Sequence, residues 1–284
     1  MSFVVPSIFE TPLADLTRED FEYFQQNIFK LAGISLSAAK ADLLKTRLRT
    51  QVQKHGFVSY TEYRKFLCSL SPAHEEWQEF INLLTTNKTD FFREPQHFTY
   101  LENVFIPEWL HRGGKNLKVW CAASSTGEEP YTLALVLNRA LPKHINFHIT
   151  ASDIDTKVLE KAENGVYSIR KLPEIPEAYR FGHLALGKGE IAEWFKIKSP
   201  LREKLTFMQH NLVDESFPSN EQFDLIFCRN VLIYFSPPTI GTLMQKLDKC
   251  LDDRGNLLIG HSESIQNSTH LFKSVKPSIY KKAK

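Results

Sequence analysis

Apolar residues recur every three or four positions through roughly the first 85 residues. Phe21, Phe24, Ile28 and Leu31 follow Thr17, a helix N-cap type, with Asp20 three residues further on. Gly33 marks the end of that helix. Ala41, Leu44, Leu48 and Val52 form a second stripe, predicting a helix from about Ser37 to His55 that stops at Gly56. A third helix is predicted from near Ser59, with Tyr60, Tyr63, Phe66 and Leu67, and breaks at Ser71-Pro72. A fourth carries Trp77, Phe80, Ile81 and Leu84. No strand-period run interrupts them, so residues 1–85 read as a small all-α domain.

From Lys115 the rhythm changes. Leu117-Lys-Val119-Trp-Cys-Ala reads as a short apolar strand, then a Ser/Thr/Gly turn, then a helix with Leu133, Val136, Leu137 and Ala140 on one face. Phe147-His-Ile149-Thr-Ala-Ser is a second strand, ending at Asp153-Ile-Asp155 before another helix. Further strands are predicted at Leu205–Met208, Phe223–Cys228 and Gly255–Gly260, with a closing one at Ser278-Ile-Tyr280-Lys. Strands alternating with helices mean βαβ units and a mostly parallel sheet, an α/β fold. The fifty or so residues between Asp155 and Phe207 exceed what one crossover helix needs. Turn residues Pro173, Pro176, Gly182, Gly187 and Gly189, then the alternating Phe195-Lys-Ile197-Lys, read as a small inserted β-subdomain at about 170–205, or as a long irregular connection.

Composition narrows the class. At 284 residues, 42% hydrophobic and 24% charged, the chain matches soluble globular proteins. A net charge of +2 is too small to argue for nucleic acid or membrane as a partner. Cys68, Cys121, Cys228 and Cys250 show no CxxC pair and no Cys/His cluster, so neither a metal site nor a disulfide framework is expected. The start, Met1 to Leu16, lacks a signal peptide's basic and long apolar regions. No run approaches the roughly eighteen apolar residues of a membrane span. The expectation is a cytoplasmic protein without membrane insertion.

In an open α/β sheet, ligands bind beyond the carboxyl ends of the strands. The first such turn reads Ala122-Ala-Ser-Ser125-Thr-Gly127-Glu128-Glu129-Pro-Tyr131, which is neither GxGxxG nor a P-loop. Two glutamates at the start of the following helix would repel a pyrophosphate placed there. That argues against a nicotinamide-dependent oxidoreductase and for a ligand presenting positive charge, such as the ammonium and sulfonium of S-adenosylmethionine. Asp153, ending the second strand, is placed to accept from both ribose hydroxyls; it reads equally well as a helix N-cap ahead of Lys157. Asn211 follows the third strand, within reach of an adenine edge. Arg229-Asn230 ends the fourth, and Ser236-Pro237 caps the next helix. Between the domains lies Thr85-Thr-Asn87-Lys-Thr89-Asp-Phe91-Phe92-Arg93-Glu94-Pro95, which by spacing alone reads as a linker with two packed phenylalanines.

Several of these stretches are long and idiosyncratic. Asn87-Lys-Thr89-Asp-Phe91-Phe92-Arg93, Ser125-Thr-Gly-Glu-Glu-Pro-Tyr131, Ala151-Ser-Asp-Ile-Asp155, Phe227-Cys-Arg-Asn-Val-Leu-Ile-Tyr-Phe235 and Gly260-His-Ser-Glu263 resemble the CheR-type chemotaxis receptor methyltransferases, in order, from about residue 17 onward. The resemblance implies a class I (Rossmann-like) S-adenosylmethionine-dependent methyltransferase domain at 99–284 with its small β-subdomain. It also implies an all-α receptor-recognition domain at 1–85 and a linker at 86–98 contributing to the active site. It further implies that Asn87, Thr89, Arg93, Glu128, Asp153, Asn211, Leu212, Arg229 and Asn230 bind S-adenosyl-L-methionine and its product S-adenosyl-L-homocysteine, without a metal. The activity implied is esterification of receptor glutamates. Arg93 would then orient the incoming carboxylate, assisted by Tyr234.

The same resemblance gives the second helix a partner. Lys40, Arg47 and Lys54 recur every seven residues beside its apolar stripe. They would face the acidic methylation helices of methyl-accepting chemotaxis receptors; without the resemblance they read as a solvated basic face. Some relatives also dock a receptor C-terminal peptide as an extra strand on the β-subdomain. The rival within the fold is a non-catalytic module that binds S-adenosylmethionine or its product for signalling.

Overall fold

The structure is a computed structural model that describes residues 13–215, 222–265, 268 and 270–283. The apolar start considered above falls largely on residues 1–12, outside that range. The chain divides into two compact units, Met1–Thr86 and Asn87–Lys284.

Among the described residues the first unit holds the α-helices α1 (Arg18–Ala32), α2 (Ala41–Lys54), α3 (Tyr60–Ser69) and α4 (Glu75–Leu84). Thr17 and Asp20 form a reciprocal capping box at the start of α1, and Gly33 ends that helix with φ 69°. The helix predicted from Ser37 opens instead as a 3-10 turn at Ala38–Lys40. Phe24, Ile28, Leu44, Leu48, Val52, Tyr63, Leu67 and Phe80 make the core. Inside it the Glu76 carboxylate accepts from Gln51 Nε2 at 2.9 and 3.0 Å and from the Tyr63 hydroxyl at 2.7 Å. A buried charge is tolerated when it is satisfied in this way.

The second unit opens on a helical stretch absent from the sequence-based assignment. It comprises α5 (Gln96–Tyr100), a π-helical segment (Leu101–Phe105) and α6 (Ile106–His111). Phe98, Leu101, Phe105 and Trp109 are its buried face. Two prolines, Pro95 and Pro107, break the propensity signal while the packing holds the helix.

Then come β1 (Asn116–Cys121), α7 (Glu128–Ala140), β2 (Asn146–Asp153), α8 (Thr156–Asn164), β3 (Val166–Ser168), α9 (Glu177–Arg180), β4 (Leu184–Leu186), β5 (Trp194–Ile197), α10 (Ser199–Arg202), β6 (Leu205–Gln209), β7 (Phe223–Cys228), α11 (Pro237–Cys250), β8 (Leu251–Ile259), β9 (Phe272–Lys276) and β10 (Ile279–Lys282). The main sheet has the order β6-β2-β1-β7-β8-β10-β9. Its first five strands run parallel, and the β9–β10 hairpin is antiparallel. Strand β9 was not anticipated, because only Phe272 of its residues is buried and one inward residue carries no period. The inserted element is an antiparallel sheet, β3-β5-β4, that begins at Val166.

Helix α7 is buried on all sides from Glu128 to Leu137, beyond the single face expected. It packs against β2, α9, α10 and the π segment. Such all-round burial fixes both ends of the helix, including the end that carries the two glutamates. Among the described residues no helix is long and apolar enough to cross a membrane.

Candidate active site

The carboxyl ends of β1, β2 and β7 meet around one turn. After β1 the chain turns sharply, with Ser125 at φ 48° and Gly127 at φ 96°. A Cβ at Gly127 would lie 2.7 Å from the Tyr167 hydroxyl and 2.9 Å from Ala162 Cβ, so this position needs glycine for both its φ and its packing. The Ser125 amide donates to Asp153 Oδ2 at 2.8 Å, and the Asp155 amide to Asp153 Oδ1 at 3.0 Å. Burial pushes the Asp153 carboxyl up to about 6, with those backbone donors only partly opposing it. The helix N-cap role belongs to Asp155, whose Oδ1 accepts from the amides of Lys157 at 2.9 Å and Val158 at 3.3 Å. Asp153 is thereby left beside the turn.

The paired glutamates diverge. Glu128 is 2% exposed; its carboxylate accepts from the Thr126 hydroxyl at 2.6 Å and lies 3.0 Å from Lys171 Nζ. Glu129 turns the other way, toward Arg229 Nη1 at 2.9 Å and the Cys121 thiol at 3.2 Å. Burial raises the Glu129 carboxyl and Arg229 opposes the rise.

Arg229 is the hub. Its side chain is fully buried, stacks near Phe98 and Phe227, and contacts Glu129, Glu94 Oε2 at 3.0 Å and the Arg93 carbonyl at 2.6 Å. The linker it grips is strained, with Phe92 at φ 52° and Glu94 at φ 56°. Burial raises the Glu94 carboxyl, but Arg229 and the donors from Asn230 and His261 outweigh that and leave it lowered. Asn230, at φ 58°, donates through Nδ2 to Glu94 Oε1 at 3.1 Å. Glu263 ties the same corner down, accepting from the amides of Gly260, Asn230 and Leu232 at 2.6–2.8 Å.

Phe91 packs on Tyr167 and Phe195, and Phe92 on Phe98 and Tyr179, as a plug would. Two polar residues ahead of them contact Asp155, the turn after β1 and Lys171. Asn87 Nδ2 donates to Asp155 Oδ2 at 2.7 Å, its carbonyl accepts from the Ser125 hydroxyl at 3.0 Å, and the Thr89 carbonyl accepts from Lys171 at 3.0 Å.

Asn87, Thr89, Arg93, Glu128, Asp153, Arg229 and Asn230 therefore converge on one region. Asn211 and Leu212 are tied to its edge, where the His210 amide donates to the Asp153 carbonyl at 2.9 Å. Asn211 Nδ2 donates to Asp214 at 3.1 Å, and Leu212 is buried. Tyr234 is half-buried in the 3-10 turn Leu232–Tyr234 beyond Asn230. In the helical unit, Lys40 and Lys54 are exposed, whereas Arg47 donates to the carbonyls of Leu84 at 2.6 Å and Thr85 at 2.7 Å. Its guanidinium thus caps the end of α4. Glu94, Lys171 and Glu263 were not singled out from the sequence. Glu94 and Glu263 lie within quoted motifs, while nothing local marks Lys171.

Buried Glu128 and Asp153, with the fully buried Ser124 hydroxyl that has no hydrogen-bond partner, fit a ligand with cationic groups and ribose hydroxyls. Glu94, Glu128, Glu129, Asp153, Asp155 and Glu263 outnumber the cations Arg93, Lys171 and Arg229 around them. S-adenosylmethionine fits this set. Among the described residues one group has metal-ligand chemistry, Glu94, His97 and His261, with ligand atoms within 4.8 Å of one another. Its carboxylate is already held by Arg229.

Comparison with known proteins agrees. Residues 19–85 match the family described as CheR methyltransferase, all-alpha domain, and residues 87–281 the CheR methyltransferase, SAM binding domain. Chemotaxis protein methyltransferase 2 of Pseudomonas aeruginosa is 38% identical over 94% of this chain and 94% of its own length. The chemotaxis protein methyltransferase of Borreliella burgdorferi is 34% identical over 94% of this chain and 95% of its own. That of Escherichia coli is 35% identical over 90% and 87%. With both domains matched in order over almost the whole described chain, and the acid-lined turn in place, the protein belongs to the CheR methyltransferase family.

Proposed function

We propose that this methyltransferase esterifies glutamate side chains on methyl-accepting chemotaxis receptors, giving glutamate 5-O-methyl esters in the cytoplasm. The observation that carries the reading is the pair of buried carboxylates, Glu128 at the start of the helix after β1 and Asp153 at the end of the adjacent parallel strand β2, with the linker beside them. S-adenosyl-L-methionine, when bound, supplies a methyl group on a positively charged sulfur. Glu128 holds the cationic methionyl end, Asp153 the ribose, and Asn211 with Leu212 the adenine. Asn87, Thr89, Arg229 and Asn230 shape the pocket.

Little further chemistry is required of the protein. A glutamate side chain, with pKa near 4.3, is already ionised at neutral pH, so no general base has to uncover it. Positioning and exclusion of water remain. Arg93 orients the substrate carboxylate through its planar fork, and Tyr234 assists by hydrogen bonding. No step calls for a metal. Lys40, Arg47 and Lys54 steer the acidic receptor helices, Lys40 and Lys54 from the exposed face. The β-subdomain offers an edge strand to a receptor tail peptide; Leu186, Ile191 and Trp194 are exposed there.

The test is radiolabelled methyl incorporation into receptor membranes. The expected label is released as methanol by mild base, as an ester requires. Base-stable label would exclude a carboxyl ester and remove the glutamate reading.

A further inference from the structure

The corner that holds Glu128 contains a cation that the reaction itself does not require. Lys171 lies in the 3-10 turn Ile169–Glu174, directly after the first strand of the small sheet, 43 residues from Glu128 in sequence. Its ammonium sits 3.0 Å from Glu128 Oε1 and donates to the Thr89 carbonyl at 3.0 Å. The third contact, to Asp90 Oδ1, is 3.5 Å long, at the limit of a hydrogen bond, and Asp90 is 47% exposed. An ammonium has three donors. Two are firmly held and the third is loosely placed.

The neighbourhood is otherwise anionic. Glu128, Asp90 and Glu174 surround this point, Glu174 Oε2 accepting from the Phe91 amide at 2.9 Å. Burial pulls the Lys171 ammonium down, but Glu128, Glu174 and Asp90 together outweigh it and hold the ammonium above its ordinary value. Arg229, whose side chain is fully buried, is committed to Glu94 and Glu129. A methionyl end presents an ammonium and a carboxylate on the same carbon. Glu128 answers the first; the second would be repelled by this corner were Lys171 not there.

We propose that Lys171 recognises the α-carboxylate of the methyl donor, so that Glu128 and Lys171 together form a site for a zwitterionic amino-acid end. This rests on the methyltransferase reading above. The Lys171 third N–H, now spent on Asp90, turns to the carboxylate. The ion pair with Glu128 keeps the ammonium in place before the donor arrives.

The test is calorimetric binding of two ligands, S-adenosylhomocysteine and 5′-methylthioadenosine, to the full chain. The second keeps adenine, ribose and thioether but lacks the amino-acid end. Lys171→Met is expected to weaken S-adenosylhomocysteine at least about tenfold, the scale of a hydrogen bond to a charged group. It leaves 5′-methylthioadenosine within about twofold. Lys171→Arg, which keeps the charge, recovers most of the affinity. Equal loss for both ligands would make Lys171 a prop for the linker and overturn the proposal, as would no loss for either. Wild-type protein that binds neither ligand would overturn the methyltransferase reading along with it.

Discussion

Arg229 Nη1 and Glu129 Oε2 lie 2.9 Å apart in the interior, one at the end of a strand and the other in the first turn of a helix, a hundred residues earlier. Through the same guanidinium the pair is joined to Glu94 and to the Arg93 carbonyl. Removing one partner of a buried pair strands the other, at a cost of about 3–5 kcal/mol. Arg229→Met is expected to lose about that much in urea denaturation. The double variant Arg229→Met/Glu129→Met recovers part of it, since a buried charge no longer stands alone. A single variant as stable as the parent would show that water or another cation reaches Glu129.

The proposed contact of Asp153 with the ribose predicts a pH dependence for donor binding. Its carboxyl is raised to about 6 by burial, and in that contact the ribose hydroxyls donate best to the ionised form. Ligand binding favours the deprotonated state. Affinity for S-adenosylhomocysteine is therefore full above pH 7 and falls as pH drops through about 6, by up to about tenfold per unit. Calorimetry between pH 5 and 8 checks this. A flat profile would take Asp153 out of the contact.

Arg93 touches the rest of the protein lightly by comparison, Nη1 donating to the Lys88 carbonyl at 2.9 Å. Its carbonyl, not its side chain, is what Arg229 holds. Arg93→Ala is expected to keep S-adenosylhomocysteine affinity within about threefold while methyl transfer falls at least about a hundredfold, a loss of positioning. Near-normal turnover in the radiolabelled assay would remove it from the reaction.

The basic helix separates into two behaviours. Arg47 fastens the carbonyls at the end of α4, so Arg47→Ala lowers the melting temperature, with each lost charged hydrogen bond costing about 1.5–3 kcal/mol. Lys40→Glu/Lys54→Glu, both at exposed positions, leaves stability unchanged and slows receptor methylation at low salt. Unchanged kinetics for that double variant at low ionic strength would mean that the face only meets solvent.

Gly127→Ala is expected to be destabilising, by about 1–3 kcal/mol for a non-glycine residue in that backbone region, with the clash against Tyr167 and Ala162 adding to it. A thermal melt reads it directly.

What sequence alone determined was local or periodic. Thr17 and Asp20 announced a helix three residues apart, and the alternation of apolar strands with apolar-faced helices announced a parallel sheet. The acid pair after β1 was legible as a candidate site because ligands in an open α/β sheet bind beyond the carboxyl ends of the strands. Helix α5 to α6 escaped although Phe98, Leu101, Phe105 and Trp109 step by three and four, since Pro95 and Pro107 interrupt the propensity signal; strand β9 escaped because a lone inward Phe272 leaves no period to read. Tertiary structure decided what distance along the chain conceals. It sent Glu128 to Lys171 and its neighbour Glu129 to Arg229, although the two are adjacent in sequence. It turned Arg47 from a surface charge into a helix cap and gave Asp155, not Asp153, the N-cap of α8. The physical reason is that helix and strand patterns arise from contacts a few residues apart, whereas ion pairs are chosen by burial. A carboxylate taken out of water must find a cation or hydrogen-bond donors, and only the packed fold settles which are near.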